Sequence, residues 1–315
     1  MLPAVVFVLG KGGVGRSTVA AALGAGLASR GERVLIVQWS VVDAVSPWFA
    51  RPPAGYEAQP IAPGLSTMNF SGQAALEQYF VQHLGMRAFY RSVIASRHVR
   101  HLTRAAPGLE ELMFLGMVMW LTTLARQERG WSYDHVIVDP PALGHATSLL
   151  AIPYATGTLG LGGILATECA RVAAMLADPA RSAALVVTTP EELAVEETLE
   201  FWPRIARELG RPPLAAIVNR SVQRLGALPA DPAACGWFGA VAAAAPAGAR
   251  DGLTRVYRHL ARRADRERVL ADHVTTGAPL GLVAIDDALL AEDAPTPRQI
   301  VASATAALSP LWGAP

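Results

Sequence analysis

Short, mostly apolar runs recur along the chain, separated by longer segments with a helical pattern. The runs lie at residues 4–9, 33–38, 135–139, 184–188, 214–219 and 280–285. Their length and composition are typical of strands that are covered on both faces. Helices are predicted at 17–28, 168–178, 191–209, 252–271 and 298–308, with Thr189 as N-cap and Pro190 as first residue of the third of these. This alternation predicts an α/β fold with a doubly wound, mainly parallel sheet and helices on both faces.

Three stretches fall outside this alternation. Residues 51–66 are rich in Pro, Gly and Ala and predict a loop. Residues 73–130 have an amphipathic pattern, broken at Pro107-Gly108, and predict a helical insert. Residues 226–250 combine Ala, Gly and Pro with little periodicity and predict a mobile connection. Because neither charge nor composition changes sharply, we expect a single domain over residues 1–315.

Composition excludes several classes of protein. Hydrophobic residues make up 52% of the 315 residues and the net charge is +1. This rules out a disordered chain and gives no electrostatic reason to expect a nucleic-acid partner. Cys169 and Cys235 are far apart and neither belongs to a CxxC pair, so we expect no zinc or iron–sulfur site of the usual spacing. Met1 leads directly into an apolar strand without a basic leader, and we expect a cytoplasmic protein.

A glycine-rich segment joins the first predicted strand to the first predicted helix. It consists of Gly10, Lys11, Gly12, Gly13, Val14, Gly15, Arg16, Ser17 and Thr18. This is the phosphate-binding pattern G-x-x-x-x-G-K-[ST], with Arg16 in the place of the lysine. Glycines let successive backbone N–H groups face one anion, and the helix N-terminus adds partial positive charge. The hydroxyl of Ser17 is placed to bind Mg²⁺, so the segment predicts a site for ATP or ADP with Mg²⁺.

Lys11 is the only lysine in the chain, since every other residue among the 27 Lys and Arg is an arginine. Lysine and arginine are chemically different, and the one ammonium group of the chain lies inside the phosphate loop. A lysine directly after the first glycine of this loop marks a deviant Walker A motif. The sequence resembles the deviant Walker A ATPases, which include MinD, ParA, the nitrogenase iron protein and ArsA.

Further segments resemble the ArsA family in particular. Residues 134–139 and 140–145 resemble its Walker B strand and the switch II segment that follows it. Residues 176–192 and 217–220 also resemble this family, so the likeness covers most of residues 1–220. The family includes arsenite-pump ATPases and the GET-pathway factor that targets tail-anchored membrane proteins.

The resemblance implies a role for each matched residue. Lys11 would reach across a dimer interface to the nucleotide of the partner, and Arg16 would carry the charge of the usual lysine. Asp139 would orient the Mg²⁺ shell through water, Gly144 would sense the γ-phosphate, and Asn219 would contact adenine. From the residues alone, Asp139 can also be a cap at a strand end and Asn219 an ordinary turn residue.

Two positions depart from the family pattern. Arg16 replaces the lysine of the phosphate loop, and Ser40 stands where the family has an Asp that positions the attacking water. Asp43 is close enough in the sequence to be considered as a substitute. Because hydrolysis needs a water oriented for in-line attack, two hypotheses remain. One is a slow ATPase, and the other is a nucleotide-binding subunit without catalysis in a heterodimer with a related ATPase.

The resemblance implies a nucleotide-dependent dimeric switch that couples ATP to a protein partner or client. Loops at 39–49 and 139–146 would transmit the presence of the γ-phosphate. The uncharged stretch at 146–166 is expected as buried core or as an apolar client surface, and its glycines and Pro153 argue against a membrane span. A ParA/MinD-like positioning ATPase is an alternative, disfavoured because residues 298–315 lack a basic amphipathic face.

Overall fold

The structure of the protein is a computed structural model, and it describes a defined set of residues. These are 2–72, 74–75, 108–123, 133–141, 143–154, 164–275, 277–288 and 294–312. Most of the predicted helical insert at 73–130 therefore lies outside the described residues, apart from one helix near its end. Residues 155–163 of the uncharged stretch lie outside them as well.

A sheet of eight strands forms the centre of the described structure. The strands are β1 (Val5–Gly10), β2 (Val34–Gln38), β3 (Gln59–Ala62), β4 (Leu65–Asn69), β5 (His135–Asp139), β6 (Ser182–Thr188), β7 (Ala215–Ser221) and β8 (Leu282–Asp286). Their spatial order is β3-β4-β2-β5-β1-β6-β7-β8, and every neighbouring pair is parallel except β3 with β4. This confirms the predicted α/β class with a mainly parallel sheet.

Helices cover both faces of the sheet. They are α1 (Arg16–Ser29), α2 (Leu109–Thr123), α3 (Leu143–Ala151), α4 (Ile164–Ala177), α5 (Glu192–Leu209), α6 (Gly236–Ala244), α7 (Arg250–Thr275) and α8 (Pro297–Ala307). Short 3-10 helices lie at Ser46–Phe49, Ile152–Tyr154, Gln223–Leu225, Pro232–Ala234, Ala247–Ala249 and Ser309–Leu311. None of the helices in the described ranges combines the length and the apolar character that crossing a bilayer requires.

Alternate side chains of β1 divide the core into two layers. Val5, Phe7 and Leu9 pack in the layer that contains α2, α4 and α5. Val6 and Val8 pack in the layer that contains α1 and α8. All five side chains are at most 1% exposed, and burial of side chains this large stabilises the fold by about 1.5–3 kcal/mol each. The central position of β1 therefore fixes where the loop after it begins.

Helix α1 is packed between the sheet and α8, in agreement with the absence of charged residues over 17–28. Residues 19–23 are completely buried. On the side away from the sheet, the Thr305 hydroxyl of α8 donates a hydrogen bond to the Ala22 carbonyl over 2.9 Å, and Trp312 packs against the same layer. A helix enclosed on both sides has no need of a polar face.

Two segments predicted to lack regular structure contain it. Residues 51–66, predicted as a loop, include β3 and the start of β4, because β4 pairs in parallel with β2. Residues 226–250, predicted as a mobile connection, include α6, whose Phe238 ring lies 4.5 Å from the Tyr257 ring of α7. In both segments, partners distant in the sequence supply the packing that the local pattern does not indicate.

The predicted start of α5 also needs correction. Thr189 does not cap this helix: its N-cap residue is Glu191, no side chain caps it, and the helix begins at Glu192. Thr189 is instead buried at the end of β6, and the hydroxyl of its neighbour Thr188 donates to the Ala194 carbonyl. β6 thus ends at Thr188, as predicted, and the helix begins two residues later than a cap at Thr189 implies.

Candidate functional site

The candidate site lies at the carboxyl edge of the sheet, where the parallel strands β1, β5 and β2 end near one another. The loop at residues 10–18 runs from the end of β1 into α1, which is the strand–loop–helix context that its motif requires. Asp139 ends β5 beside it. This edge of an open α/β sheet is where ligands bind in such folds.

Two glycines of the loop are required by its geometry. A Cβ at Gly10 would lie 2.4 Å from the Val187 carbonyl of β6, and a Cβ at Gly15 would lie 2.2 Å from Nδ2 of Asn219. Gly15 also has φ 92°, in the left-handed region that favours glycine. It is the N-cap residue of α1, and no side chain caps the helix there. The amides of the first turn are therefore available to an anion.

The other members of the loop differ in exposure. Gly12 and Gly13 are exposed, and a Cβ on either would meet no atom within 4 Å. Val14 is buried in the core beneath the loop, at 3% exposure. Thr18 is half-buried and lines a cavity on the far side of the loop. Val14 therefore anchors the loop in the core, while its two central glycines face outward.

Ser17 and Asp139 form a pair of hard oxygen groups at the start of α1. The Ser17 hydroxyl donates to Oδ2 of Asp139 over 2.6 Å. Asp139 is 5% exposed, and its Oδ1 is buried without a hydrogen-bond partner among the described residues. Burial raises the pKa of the Asp139 carboxyl, and the Ser17 hydrogen bond and the charge of Arg16 offset only part of this shift.

This pair fits a Mg²⁺ ion held partly by phosphates and water. A hydroxyl oxygen and a buried carboxylate with one unsatisfied oxygen are the donors that Mg²⁺ prefers. In the described ranges no group of three or more His, Cys, Asp and Glu side chains is arranged to hold a metal. The donor set therefore suits Mg²⁺ that arrives with a nucleotide rather than a metal held by protein side chains alone.

The guanidinium of Arg16 points to the residues that follow Asp139. Its Nη1 donates to the carbonyls of Pro140 and Pro141, the second over 2.8 Å, and lies 3.9 Å from Oδ1 of Asp139. Burial lowers the pKa of Arg16, while the Asp139 carboxylate acts in the opposite direction. Arg16 thus joins the phosphate loop to the start of the switch II segment (residues 140–145), a contact that its sequence position does not reveal.

Lys11 is paired with an acid of its own chain. Its Nζ lies 2.9 Å from Oε1 of Glu197 on α5, and the two side chains are 28% and 32% exposed. Sequence reasoning did not single out Glu197, because α5 carries several other acidic residues and nothing in their spacing distinguishes one of them. The single lysine of the chain therefore lies at the exposed face of the loop.

The loop after β2 contains both residues considered for the attacking water. Ser40 is exposed, and its hydroxyl donates to the Val42 carbonyl over 2.7 Å. Asp43 is 4% exposed. Its carboxylate accepts hydrogen bonds from the backbone amides of Val45, Ser46 and Ala54 and from the side-chain amide of Gln38, at 2.6–3.0 Å. Burial alone would raise the pKa of Asp43, but these hydrogen bonds outweigh it and the pKa is lowered. Asp43 therefore holds the loop together and is not placed to substitute for an acid at Ser40.

Asn219 stands between the loop and a cavity of about 910 Å³. Its Nδ2 donates to the Val14 carbonyl over 2.9 Å, and its Oδ1 accepts from the Arg220 amide over 3.0 Å. The cavity is lined by groups from several elements, among them Gly15, Thr18, Asn219, His259, Asp286 and Ile300. Asn219 thus lies within β7 rather than in a turn, and its side chain contacts the phosphate loop directly.

A buried ion pair braces one wall of this cavity. Nη2 of Arg263 on α7 lies 2.9 Å from Oδ2 of Asp287, just after β8, and the two side chains are 9% and 6% exposed. The same nitrogen donates to the Arg220 carbonyl over 2.5 Å. Sequence reasoning missed this pair, since the two residues are separated in the chain and meet only through the order of β7 and β8.

Gly144 lies on the first turn of α3 and is exposed. Its carbonyl accepts from the hydroxyls of Thr147 and Ser148, over 3.1 Å and 3.3 Å. The side chain of His145 is outside the described residues. Gly144 thus follows Asp139 closely, at the same edge of the sheet as the phosphate loop.

Comparisons with known proteins agree on one family. The family model described as anion-transporting ATPase matches residues 3–161. ATPase BagA of Mycobacterium tuberculosis is 32% identical over 226 residues, which cover 68% of this chain and 64% of that protein. An arsenical pump-driving ATPase of Escherichia coli is 30% identical over 161 residues, 49% of this chain and 26% of that protein. An ATPase ASNA1 homolog of Entamoeba dispar is 27% identical over 157 residues, 47% and 45% of the two chains. The chain thus spans 64% of the length of the first of these relatives.

Proposed function

This chain belongs to the ArsA-type anion-transporting ATPase family, and from that premise we propose that it is a nucleotide-dependent switch. It binds ATP and ADP with Mg²⁺ at the loop of residues 10–18 and couples the bound nucleotide to a protein partner or client. The observation that carries this proposal is the Ser17–Asp139 pair beside the uncapped N-terminus of α1. A cytoplasmic location is part of the same proposal.

The phosphates would be held by backbone amides rather than by a single side chain. Gly15 leaves the first turn of α1 open, and Gly10 lets the loop pass close beside β6. Ser17 would bind Mg²⁺ through its hydroxyl, and Asp139 would accept hydrogen bonds from water around it. Bound Mg²⁺ supplies neutralisation of charge on the β- and γ-phosphates. Gly144 would sense the γ-phosphate from the start of α3.

The cavity beside Asn219 is the proposed place of the adenine base. It adjoins the phosphate loop at Gly15 and Thr18 and is large enough for a base and a ribose, at about 910 Å³. The Asn219 side chain, which lines the cavity, is hydrogen-bonded to the Val14 carbonyl of the loop. A base in this cavity and phosphates on the loop would therefore occupy one continuous site.

Dimer formation is proposed through the face that carries Lys11. The ammonium group is partly exposed at the outer side of the loop and is held by Glu197 through an ion pair. A partner protomer that offers a phosphate at this face would compete with Glu197 for the lysine. The partner is a second copy of this chain or a related ATPase subunit. Leu149 and Leu150 of the apolar stretch at 146–166 are buried in the core, so these two residues are not part of a client surface.

A nucleotide-binding subunit without catalysis is the second candidate function. It is favoured by the loop after β2, where Ser40 offers a hydroxyl in place of an acid and Asp43 is committed to four structural hydrogen bonds. Without an oriented water, in-line attack on the γ-phosphate is slow. Such a chain would signal through nucleotide binding and release.

Titration calorimetry with ATP and ADP in the presence and absence of Mg²⁺, with phosphate release measured on the same sample, tests both candidates. We expect Ser17→Ala to weaken Mg²⁺-dependent ATP binding about tenfold to a hundredfold. Ser29→Ala, at the far end of the same helix, is the matched control and should bind as the wild type does. Absence of nucleotide binding by the wild-type protein would refute the proposal, and binding without phosphate release would favour the second candidate.

A further inference from the structure

The replacement of lysine by arginine at residue 16 creates a contact between the phosphate loop and switch II. The Arg16 backbone is the first residue of α1, in the loop itself. Its guanidinium Nη1 donates to the carbonyls of both Pro140 and Pro141, and the side chain is 15% exposed. The backbone of Arg16 therefore belongs to the phosphate loop, while its side chain contacts residues 140–141, which follow β5.

The segment that Arg16 contacts, Pro140-Pro141, has no backbone amide with which to donate a hydrogen bond. Pro140 and Pro141 have no N–H group, so this part of the chain offers carbonyl acceptors but no backbone donors. Pro140 is buried and Pro141 half-buried, where an unsatisfied carbonyl is costly. Arg16 supplies charged donors to both carbonyls, and α3 begins two residues later at Leu143.

A phosphate would compete with these carbonyls for the same guanidinium. Hydrogen bonds from a guanidinium to an oxyanion are about twice as strong as those between neutral groups, and arginine binds phosphate oxygens in a bidentate way. A carbonyl is a neutral acceptor, so the guanidinium binds an oxyanion within reach in preference to it. A γ-phosphate bound at the loop would therefore draw Arg16 away from the two prolines, whereas a nucleotide without a γ-phosphate would not.

We propose that Arg16 is the positioning residue that couples occupancy of the phosphate loop to switch II. In this arrangement Arg16 holds residues 140–141 until a nucleoside triphosphate takes over its guanidinium, which releases the start of α3. A nucleoside diphosphate leaves the contact in place. Lysine lacks the planar guanidinium fork with which arginine binds phosphate oxygens in a bidentate way. The inference rests on the proposed function, because it requires a nucleotide at residues 10–18.

Hydrogen exchange of the peptide that covers residues 143–154 tests this coupling in the full chain. Without nucleotide, we expect Arg16→Lys to exchange about threefold to tenfold faster in this peptide than the wild type, as loss of one or two anchoring hydrogen bonds implies. In the wild type, Mg²⁺ with the non-hydrolysable analogue AMPPNP should produce the same acceleration and Mg²⁺ with ADP should not. Arg16→Lys should show no further response to AMPPNP.

Arg250→Lys is the matched control. Arg250 also donates to backbone carbonyls, those of Ala243 and Ala245, near the end of α6. Its loss should accelerate exchange near those residues and leave the peptide at 143–154 unchanged. Equal acceleration at 143–154 in both variants would mean general destabilisation and would overturn the inference. So would wild-type exchange in Arg16→Lys, or an equal response of the wild type to AMPPNP and ADP.

Calorimetry on the same samples distinguishes a failure of the proposed nucleotide binding from a failure of the Arg16 coupling. If neither nucleotide binds, the proposed function fails, while the nucleotide-free comparison of Arg16→Lys with the wild type still reports on the anchor. If both nucleotides bind and exchange at 143–154 does not depend on Arg16, the coupling alone is refuted. Arg16→Gln serves as a second variant if Arg16→Lys does not fold, and the wild-type nucleotide comparison needs no variant.

Discussion

Single residues set the chemistry of the site, and Lys11 shows how far sequence alone can lead. The sequence identified it because it is the one lysine of the chain. What it contacts could not be predicted, because Glu197 reaches it only through the packing of α5 beside β6. The same holds for Arg16, whose partners Pro140 and Pro141 are more than a hundred residues away.

Release of Lys11 should favour dimer formation. We expect Glu197→Gln to strengthen ATP-dependent dimerisation about twofold to fivefold, since a partly exposed ion pair is worth at most about 1 kcal/mol. Sedimentation velocity with Mg²⁺ and ATP measures this. Glu200→Gln, which removes only the exposed pair with Arg204, is the control. Weaker dimerisation of Glu197→Gln than of this control would contradict the assignment of Glu197.

The raised pKa of Asp139 predicts a dependence of stability on pH. A carboxyl whose pKa is higher in the folded than in the unfolded state stabilises the protein below its unfolded pKa, and this contribution is lost as pH rises through the folded pKa. We expect Asp139→Asn to raise the free energy of unfolding at pH 7 by about 1 kcal/mol and to abolish Mg²⁺-dependent nucleotide binding.

Urea unfolding of wild type and Asp139→Asn from pH 4 to pH 8 measures this difference. The gap between the two proteins should close toward acid pH, where the wild-type carboxyl is protonated. A gap that stays constant over this range would show that the ionisation of Asp139 does not limit stability. Ser17 can still donate to the asparagine carbonyl, so its bond to residue 139 is preserved in the variant.

Elements were predicted well where local pattern and tertiary environment agree. The apolar runs that became β1, β2 and β5 are buried on both faces, which is what such runs indicate. β3 and β4 were missed because they are short and include Pro60 and Ser66. Their strand structure comes from pairing, since β4 pairs with β2 and β3 pairs with β4. α6 was missed because its small apolar residues have no polar face to mark a helical period.

The loop after β2 is the element whose chemistry differs from the family pattern. We expect Ser40→Asp to raise the rate of phosphate release at least about tenfold, because a carboxylate there can orient the attacking water. Phosphate release at saturating ATP measures this. Ser309→Asp, an exposed change beyond the C-terminus of α8, should leave the rate unchanged. An unaltered rate in Ser40→Asp would indicate that Arg16, rather than Ser40, limits ATP hydrolysis.

At the scale of the whole molecule, the site depends on strands and helices from both halves of the chain. The doubly wound order could be predicted, and with it the edge at which the loop would lie. The cavity beside Asn219 could not, since its walls come from α1, β7, β8, α7 and α8. Arg263 and Asp287 brace it and are apart in the sequence.

Loss of one partner of this buried pair should be costly. We expect Asp287→Ala to lower the free energy of unfolding by about 3 kcal/mol, because it leaves the Arg263 charge buried without compensation. Asp265→Ala, which breaks the exposed pair with Arg268, should change it by less than about 1 kcal/mol. Urea denaturation of both variants measures the difference, and equal losses would argue against a bracing role for the buried pair.

The antiparallel β3 has a consequence for how molecules meet at high concentration. It forms one end of the sheet, is four residues long, and contains Pro60, which has no amide to offer. A strand of another molecule that approached this rim would find an interrupted row of donors and too short a template to extend. Edge-to-edge aggregation through this side of the sheet is therefore disfavoured, although the neighbouring strands contain many valines and isoleucines.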